Sequence, residues 1–203
     1  MAGMSVPGER QRPPNSMNPG LILGYHGCSA SLANALLSGR EKHLYPSTGP
    51  YEWLGDGIYC WEDSYERALE WAKQHLPKGR KPAVVGVLIK PGNCLDLLDA
   101  SEIDMLCDFA ANLESLYELA AKPLPQNKGL CHEYDCMLIN RYQQYVRQNR
   151  GRGYDTVRAA FMEGHRINEA GHSALFERAH VQWAICNVES IVGYFRPVPA
   201  GLR

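Results

Sequence analysis

GPYEWLGDGIYCWED, residues 49–63, couples a glycine-rich turn to a short aromatic and β-branched run. Gly57–Trp61 reads as a strand, and the polar, Pro- and Gly-containing stretch Arg40–Asp56 before it reads as a long loop. A loop of that length inside a compact chain is usually functional. An aromatic on a short strand behind such a loop, here Tyr59, can offer its ring as a stacking platform.

Upstream, Leu21–Gly27 (LILGYHG) reads as a strand ending in His26-Gly27, and Ser31–Leu37 as a short helix closed by Gly39. The glycine after His26 would let a ligand approach the backbone. Downstream, Asp63 with Glu66 forms a capping-box pattern for a helix carrying Ala68, Leu69, Ala72 and Leu76 at helical spacing. Ala83–Ile89 (AVVGVLI) is apolar throughout, the pattern of a strand buried on both faces. Two helices are expected next. One spans about Ser101–Ala120, with a stripe of Ile103, Leu106, Ala110, Leu113, Tyr117 and Ala120. The other spans about Asp135–Gln148, with Met137, Leu138, Tyr142 and Tyr145 on one side. Three late strands follow: Tyr154–Phe161, His180–Cys186 and Ile191–Phe195. Helices interleave only the early strands, so the class is α+β with the late strands as antiparallel neighbours. Alternation along His180–Cys186 sets His180 and Gln182 on one face and Val181 and Trp183 on the other. A polar pair on a strand face needs water or a ligand.

The chain has 203 residues, 45% of them hydrophobic, and a net charge of −1. These values suit one globular domain, and disfavour a grossly basic nucleic-acid binder and an acidic tail protein. Charge is uneven, since residues 141–203 carry nine Arg against five acids. Arg141, Arg147, Arg150, Arg152 and Arg158, with Tyr142 and Tyr145 between them, could form a basic aromatic surface for nucleic acid. No apolar run approaches the roughly 20 residues that span a bilayer. Residues 1–19 are polar and Pro/Gly-rich, the composition of a disordered tail, without the apolar core of a signal peptide. Seven cysteines without an export signal read as reduced thiols, which gives a cytoplasmic expectation. The cluster Cys131-His132-Glu133-Tyr134-Asp135-Cys136 lacks the second paired spacing of a structural zinc site, so no metal is expected.

Taken together, Tyr25-His26-Gly27, Gly55-Asp56-Gly57-Ile58-Tyr59, Tyr154-Asp155-Thr156-Val157 and Gln182-Trp183-Ala184-Ile185 resemble the ADP-ribosyltransferase fold. The likeness is to its diphtheria-toxin and poly(ADP-ribose) polymerase branch, which carries His, Tyr and Glu on three separate strands. It covers residues 20–90 and 154–197, with Ile191–Phe195 similar to the closing strand. The resemblance implies a split mixed or antiparallel sheet with flanking helices, residues 20–203 forming one such domain and 95–150 a helical insertion. It implies NAD⁺ as substrate and cleavage of its nicotinamide–ribose bond, with transfer of one ADP-ribose to a protein or nucleic acid. His26 would hold the adenosine ribose, the Gly27 backbone the carboxamide, and Tyr59 would stack on nicotinamide. The donor-loop stretch Pro46–Leu54 would contribute Tyr51, and the following helix Tyr65 or Trp71 as the second stacking ring.

The third position is Gln182 in place of Glu. Its amide can hydrogen-bond a ribose hydroxyl but cannot act as a base. That change implies single-unit transfer, or loss of activity. A base would then come from Glu163, ahead of Glu177. An intracellular toxin or phage-defence effector with a neutralising partner is what this kind of small transferase resembles. The alternative is a non-catalytic module of the same fold that binds NAD⁺ or ADP-ribose.

Overall fold

The structure is a computed structural model that describes residues 20–49 and 51–198. The expected tail at residues 1–19 lies outside the described residues. Elements follow in the order β1 (Ile22–Ser29), α1 (Ala30–Leu37), β2 (Ile58–Glu62), α2 (Tyr65–His75), β3 (Pro82–Ile89) and β4 (Cys94–Asp96). Then come α3 (Ala100–Leu119), α4 (Glu133–Arg150), β5 (Thr156–Phe161), β6 (His180–Ile185) and β7 (Ile191–Phe195). The class is α+β: among the described residues four α-helices lie on a seven-stranded sheet of order β4-β5-β6-β2-β1-β3-β7. The β4–β5 pair is parallel and the other pairs are antiparallel. Among the described residues no helix is long and apolar enough to cross a membrane.

Local chemistry sets the helix boundaries. Ser29 caps α1 by accepting from the Leu32 N–H, and Asp99 caps α3 by accepting from the Ser101 N–H. Helix α2 departs from the expected capping box. Asp63 has φ +46°, Ser64 occupies the cap, and no side chain bonds the first turn. The backbone turns at Asp63 instead, because its N–H is held by the Leu23 carbonyl of β1.

Strand β3 is buried along most of its length, as its apolar run requires. Two other expectations are corrected. β7 does not join the other late strands; it pairs with β3 at the opposite edge of the sheet. The expected helical segment is preceded by β4, a three-residue strand that runs parallel to β5. Parallel neighbours cannot be joined by a tight turn. The chain from Leu97 to Asp155, with α3 and α4, is the crossover that this pairing needs. On α3 the expected stripe is buried at Leu106, half-buried at Ala110, Leu113 and Tyr117, and exposed at its ends, Ile103 and Ala120. Ile139, Tyr142 and Val146 of α4 close a core with Leu95, Val157 and Ala184.

A second core joins Ile58, Cys60, Val85, Val87, Trp183 and Ile185 under α1. A third, smaller one seats α2 on Trp61 and Val84. The join at the middle of the sheet is thin. β1 and β2 are paired only at Gly24–Glu62 and Tyr25–Trp61, whereas β1 and β3 are paired over all eight residues of β1.

Candidate functional site

Because the β1–β2 ladder ends at Tyr25, the backbone of Tyr59 has no strand partner on that side. A backbone carbonyl in that position needs another donor. His26 supplies it: its Nδ1–H donates to the Tyr59 carbonyl at 2.7 Å. The bond fixes the imidazole and leaves Nε2 without the proton. Burial holds His26 below the ordinary imidazole range, with the Tyr59 carbonyl opposing that shift.

Tyr59 is fixed at its other end by the loop before it. Its hydroxyl donates to the Gly55 carbonyl at 2.9 Å and accepts from the Leu54 N–H at 2.7 Å. Gly55 sits at φ +80°, and a Cβ there would meet Asn140 Oδ1 at 2.7 Å and Ile139 Cγ2 at 2.9 Å. Both the backbone angle and the approach of α4 require glycine at that point. Burial pushes the Tyr59 phenol well above its usual value, so the group is neutral and serves as a platform.

The same loop reaches β6. Trp53 Nε1–H donates to Gln182 Oε1 at 2.5 Å, and the Trp53 ring lies 4.8 Å from that of Phe161 on β5. Gln182 is buried. Opposite stands an aromatic wall. Trp71 stacks on His75 at 4.8 Å, Trp61 lies 6.1 Å from Trp71, and Tyr51 meets His75 edge-on. Together these groups enclose a cavity of about 190 Å³, lined also by Ser47, Glu52, His132 and Glu163. An apolar cavity of about 150 Å³ holds benzene, so this one has room for a single aromatic ring and adjoining atoms.

His26, Tyr51, Tyr59, Glu163, Gln182 and Trp71 are thus brought around one space. Other candidates lie elsewhere. Tyr65 does not line the cavity; at the start of α2, its ring packs edge-on against that of Tyr25 on β1 at 6.2 Å. Gly27 faces α2 as well, where a Cβ would meet the Ala68 carbonyl at 2.1 Å. Its lack of a side chain serves helix packing. Glu177 does not line the cavity; it accepts from the His165 N–H. Glu163 is on the cavity wall, but Arg67 grips its carboxylate and that of Glu70. His180 shares a strand face with Gln182, yet its ring packs on Phe161 and Trp61. Among the described residues neither its Nε2 nor the Trp61 Nε1–H has a hydrogen-bond partner.

The basic aromatic surface keeps its exposed Arg141, Arg147, Arg150 and Arg152 but loses its aromatics and Arg158. Tyr142 is buried and Tyr145 packs on Phe109. Arg158 is held by Glu62 and Asp96, with its guanidinium over the Trp183 ring. Among the described residues no group of three or more His, Cys, Asp or Glu side chains is placed to hold a metal.

Sequence reasoning missed Glu52, Trp53, Trp61, Phe161 and His132 on the cavity wall. A signal existed for Trp61, two residues beyond Tyr59 on the same strand face. None existed for Phe161 or His132, which come from β5 and the start of α4. No family model matches the chain, and no curated protein or solved structure matches it.

Proposed function

We propose that this chain is a mono-ADP-ribosyltransferase that cleaves NAD⁺, releases nicotinamide and passes ADP-ribose to a macromolecular acceptor. One observation carries the reading: His26, Tyr59 and Gln182 stand on the contiguous strands β1, β2 and β6 and line one aromatic cavity. Nicotinamide would stack on Tyr59, with Trp71 of α2 as the second ring. Gln182 would present its amide N–H to the nicotinamide ribose, since its oxygen is taken by Trp53. The reacting bond leads to an oxocarbenium-like transition state, so the site works by positioning and by charge stabilisation. The acceptor is a protein or nucleic acid, and the cellular setting is that of an intracellular effector held in check by a partner.

Purified protein incubated with NAD⁺ should release nicotinamide, and Tyr59→Ala should abolish that release. Labelled NAD⁺ added to lysate would then separate the acceptors: label lost with protease marks protein, and label lost with nuclease marks nucleic acid. Full turnover by Tyr59→Ala would sink the assignment. A second reading is favoured by the amide at Gln182 together with the ion-paired state of Glu163. It is a non-catalytic reader of NAD⁺ or ADP-ribose, marked by saturable binding without nicotinamide release.

A further inference from the structure

Two carboxylates line the cavity, Glu52 and Glu163. Arg67 engages Glu163. Glu52 is half-buried, accepts from the Ser47 hydroxyl, and has no cationic partner among the described residues. It precedes Trp53, whose indole ties the same loop to Gln182. The loop that positions Tyr59 and Gln182 therefore also carries a carboxylate with acceptor capacity to spare.

We propose that Glu52 is the catalytic base of this site, and that the acceptor attacks through an O–H or N–H group. This rests on the transferase reading above. As the acceptor heteroatom bonds to the anomeric carbon of the nicotinamide ribose, the carbon–nitrogen bond to nicotinamide breaks. Its electron pair stays on the ring nitrogen, and neutral nicotinamide leaves. The acceptor's proton passes to Glu52. A carboxylate acceptor brings no proton and would need no such base.

Burial raises the Glu52 carboxyl above its ordinary range; the Ser47 hydrogen bond opposes this and Asp56 adds to it. The ionisable groups facing it are Asp56 on its own loop, Tyr59 on β2 and Cys136 on α4. The same cavity is lined by His26, Tyr45, Tyr51, His75, His132 and Glu163. Only the deprotonated carboxylate can accept, so turnover rises with pH through its titration.

The test uses the full chain with NAD⁺ and lysate acceptors, reading nicotinamide release, NAD⁺ affinity from tryptophan quenching, and the pH profile. Glu52→Gln should lower turnover by about 10²-fold or more, the usual scale of general-base loss, while affinity holds within about threefold. Ser47→Ala, a milder change should Glu52→Gln disturb folding, removes the bond that favours the charged form. It should move the acid limb of the profile to higher pH. Label on the acceptor should resist neutral hydroxylamine, which cleaves carboxylate esters. An unchanged rate in Glu52→Gln, an unmoved limb in Ser47→Ala, or hydroxylamine-labile product each overturns the proposal while leaving the transferase reading intact. Wild-type protein that neither binds nor cleaves NAD⁺ overturns both.

Discussion

Trp53 Nε1–H and Gln182 Oε1 meet at 2.5 Å, joining the loop before β2 to the buried face of β6. Removing the donor leaves a buried amide oxygen without a partner, which costs about 1–3 kcal/mol. Trp53→Phe should lower the urea midpoint accordingly at an unchanged slope. Against Gln182→Leu in a double-mutant cycle, the coupling should be about 0.5–1.5 kcal/mol. Additive single effects would show that the contact is not formed in solution.

Arg158 ties β5 to the centre of the sheet. Its Nε and Nη2 bond both oxygens of Glu62, at 2.9 and 3.1 Å, and Glu62 also accepts from Trp183 Nε1–H at 2.7 Å. Arg158→Met strands that partly buried carboxylate. A fully buried pair loses about 3–5 kcal/mol when one partner is removed, and partial exposure reduces the expectation here to about 1.5–3 kcal/mol. Arg158→Lys should fall between, because an ammonium lacks the planar fork that matches both oxygens. Chemical denaturation of the three proteins gives the ranking.

Gly27→Ala directs a methyl group at the Ala68 carbonyl of α2. Overpacking of this kind costs about 1–3 kcal/mol. Thermal melting should drop while Gly193→Ala, whose added carbon meets nothing within 4 Å, leaves packing undisturbed. Equal melting temperatures for both variants would remove the helix-packing account of Gly27.

Burial lowers the His26 and His180 imidazoles, and both are neutral in the folded protein at pH 7. The unfolded chain, with imidazoles near about 6.5, then binds more protons than the folded one as pH falls. Stability contributed by these groups is complete above about pH 6.5 and is lost as pH drops from there toward the lower folded values. Unfolding followed at pH 7.5, 6.5 and 5.5 should show that decline, with a shallower one in His26→Asn. A profile identical in wild type and variant would place His26 in solvent.

Thiol chemistry should be selective. Burial pushes Cys28 and Cys186 up to about 11 and Cys60 higher still, while Cys107 is exposed on α3. A disulfide reagent at pH 8 should react first at Cys107, and Cys107→Ser should delete the fast phase.

Strands that owe their form to local pattern were legible in the sequence. Val84, Val85 and Val87 announce β3, and Ile58-Tyr59 behind Gly55 and Gly57 announce β2 together with its platform residue. Features set by distant pairing were not. Cys94–Asp96 has too few residues to show a period, and it is a strand only because Thr156–Arg158 lies beside it. Tyr142 and Tyr145 look interchangeable with surface aromatics until Phe109 and Tyr154 close over them. At the site, His26, Tyr59 and Gln182 were readable from type and strand context. Glu52 and Trp53 were hidden in a loop, where neither periodicity nor propensity says which side chains turn inward.

The two-pair ladder between β1 and β2 divides the sheet into a block of four strands and a block of three. The core under α1 bridges the two blocks, drawing on Ile58 and Cys60 from one and Val85 and Val87 from the other, so side-chain packing holds the line between them where backbone bonds are few. Backbone opening therefore concentrates on that line. The amide proton of Tyr59 beside it is expected to exchange sooner than those of Val85 and Val87 in β3. A molecule seated against both His26 and Gln182 spans the two blocks, and its binding should register as slower exchange along the whole midline of the sheet.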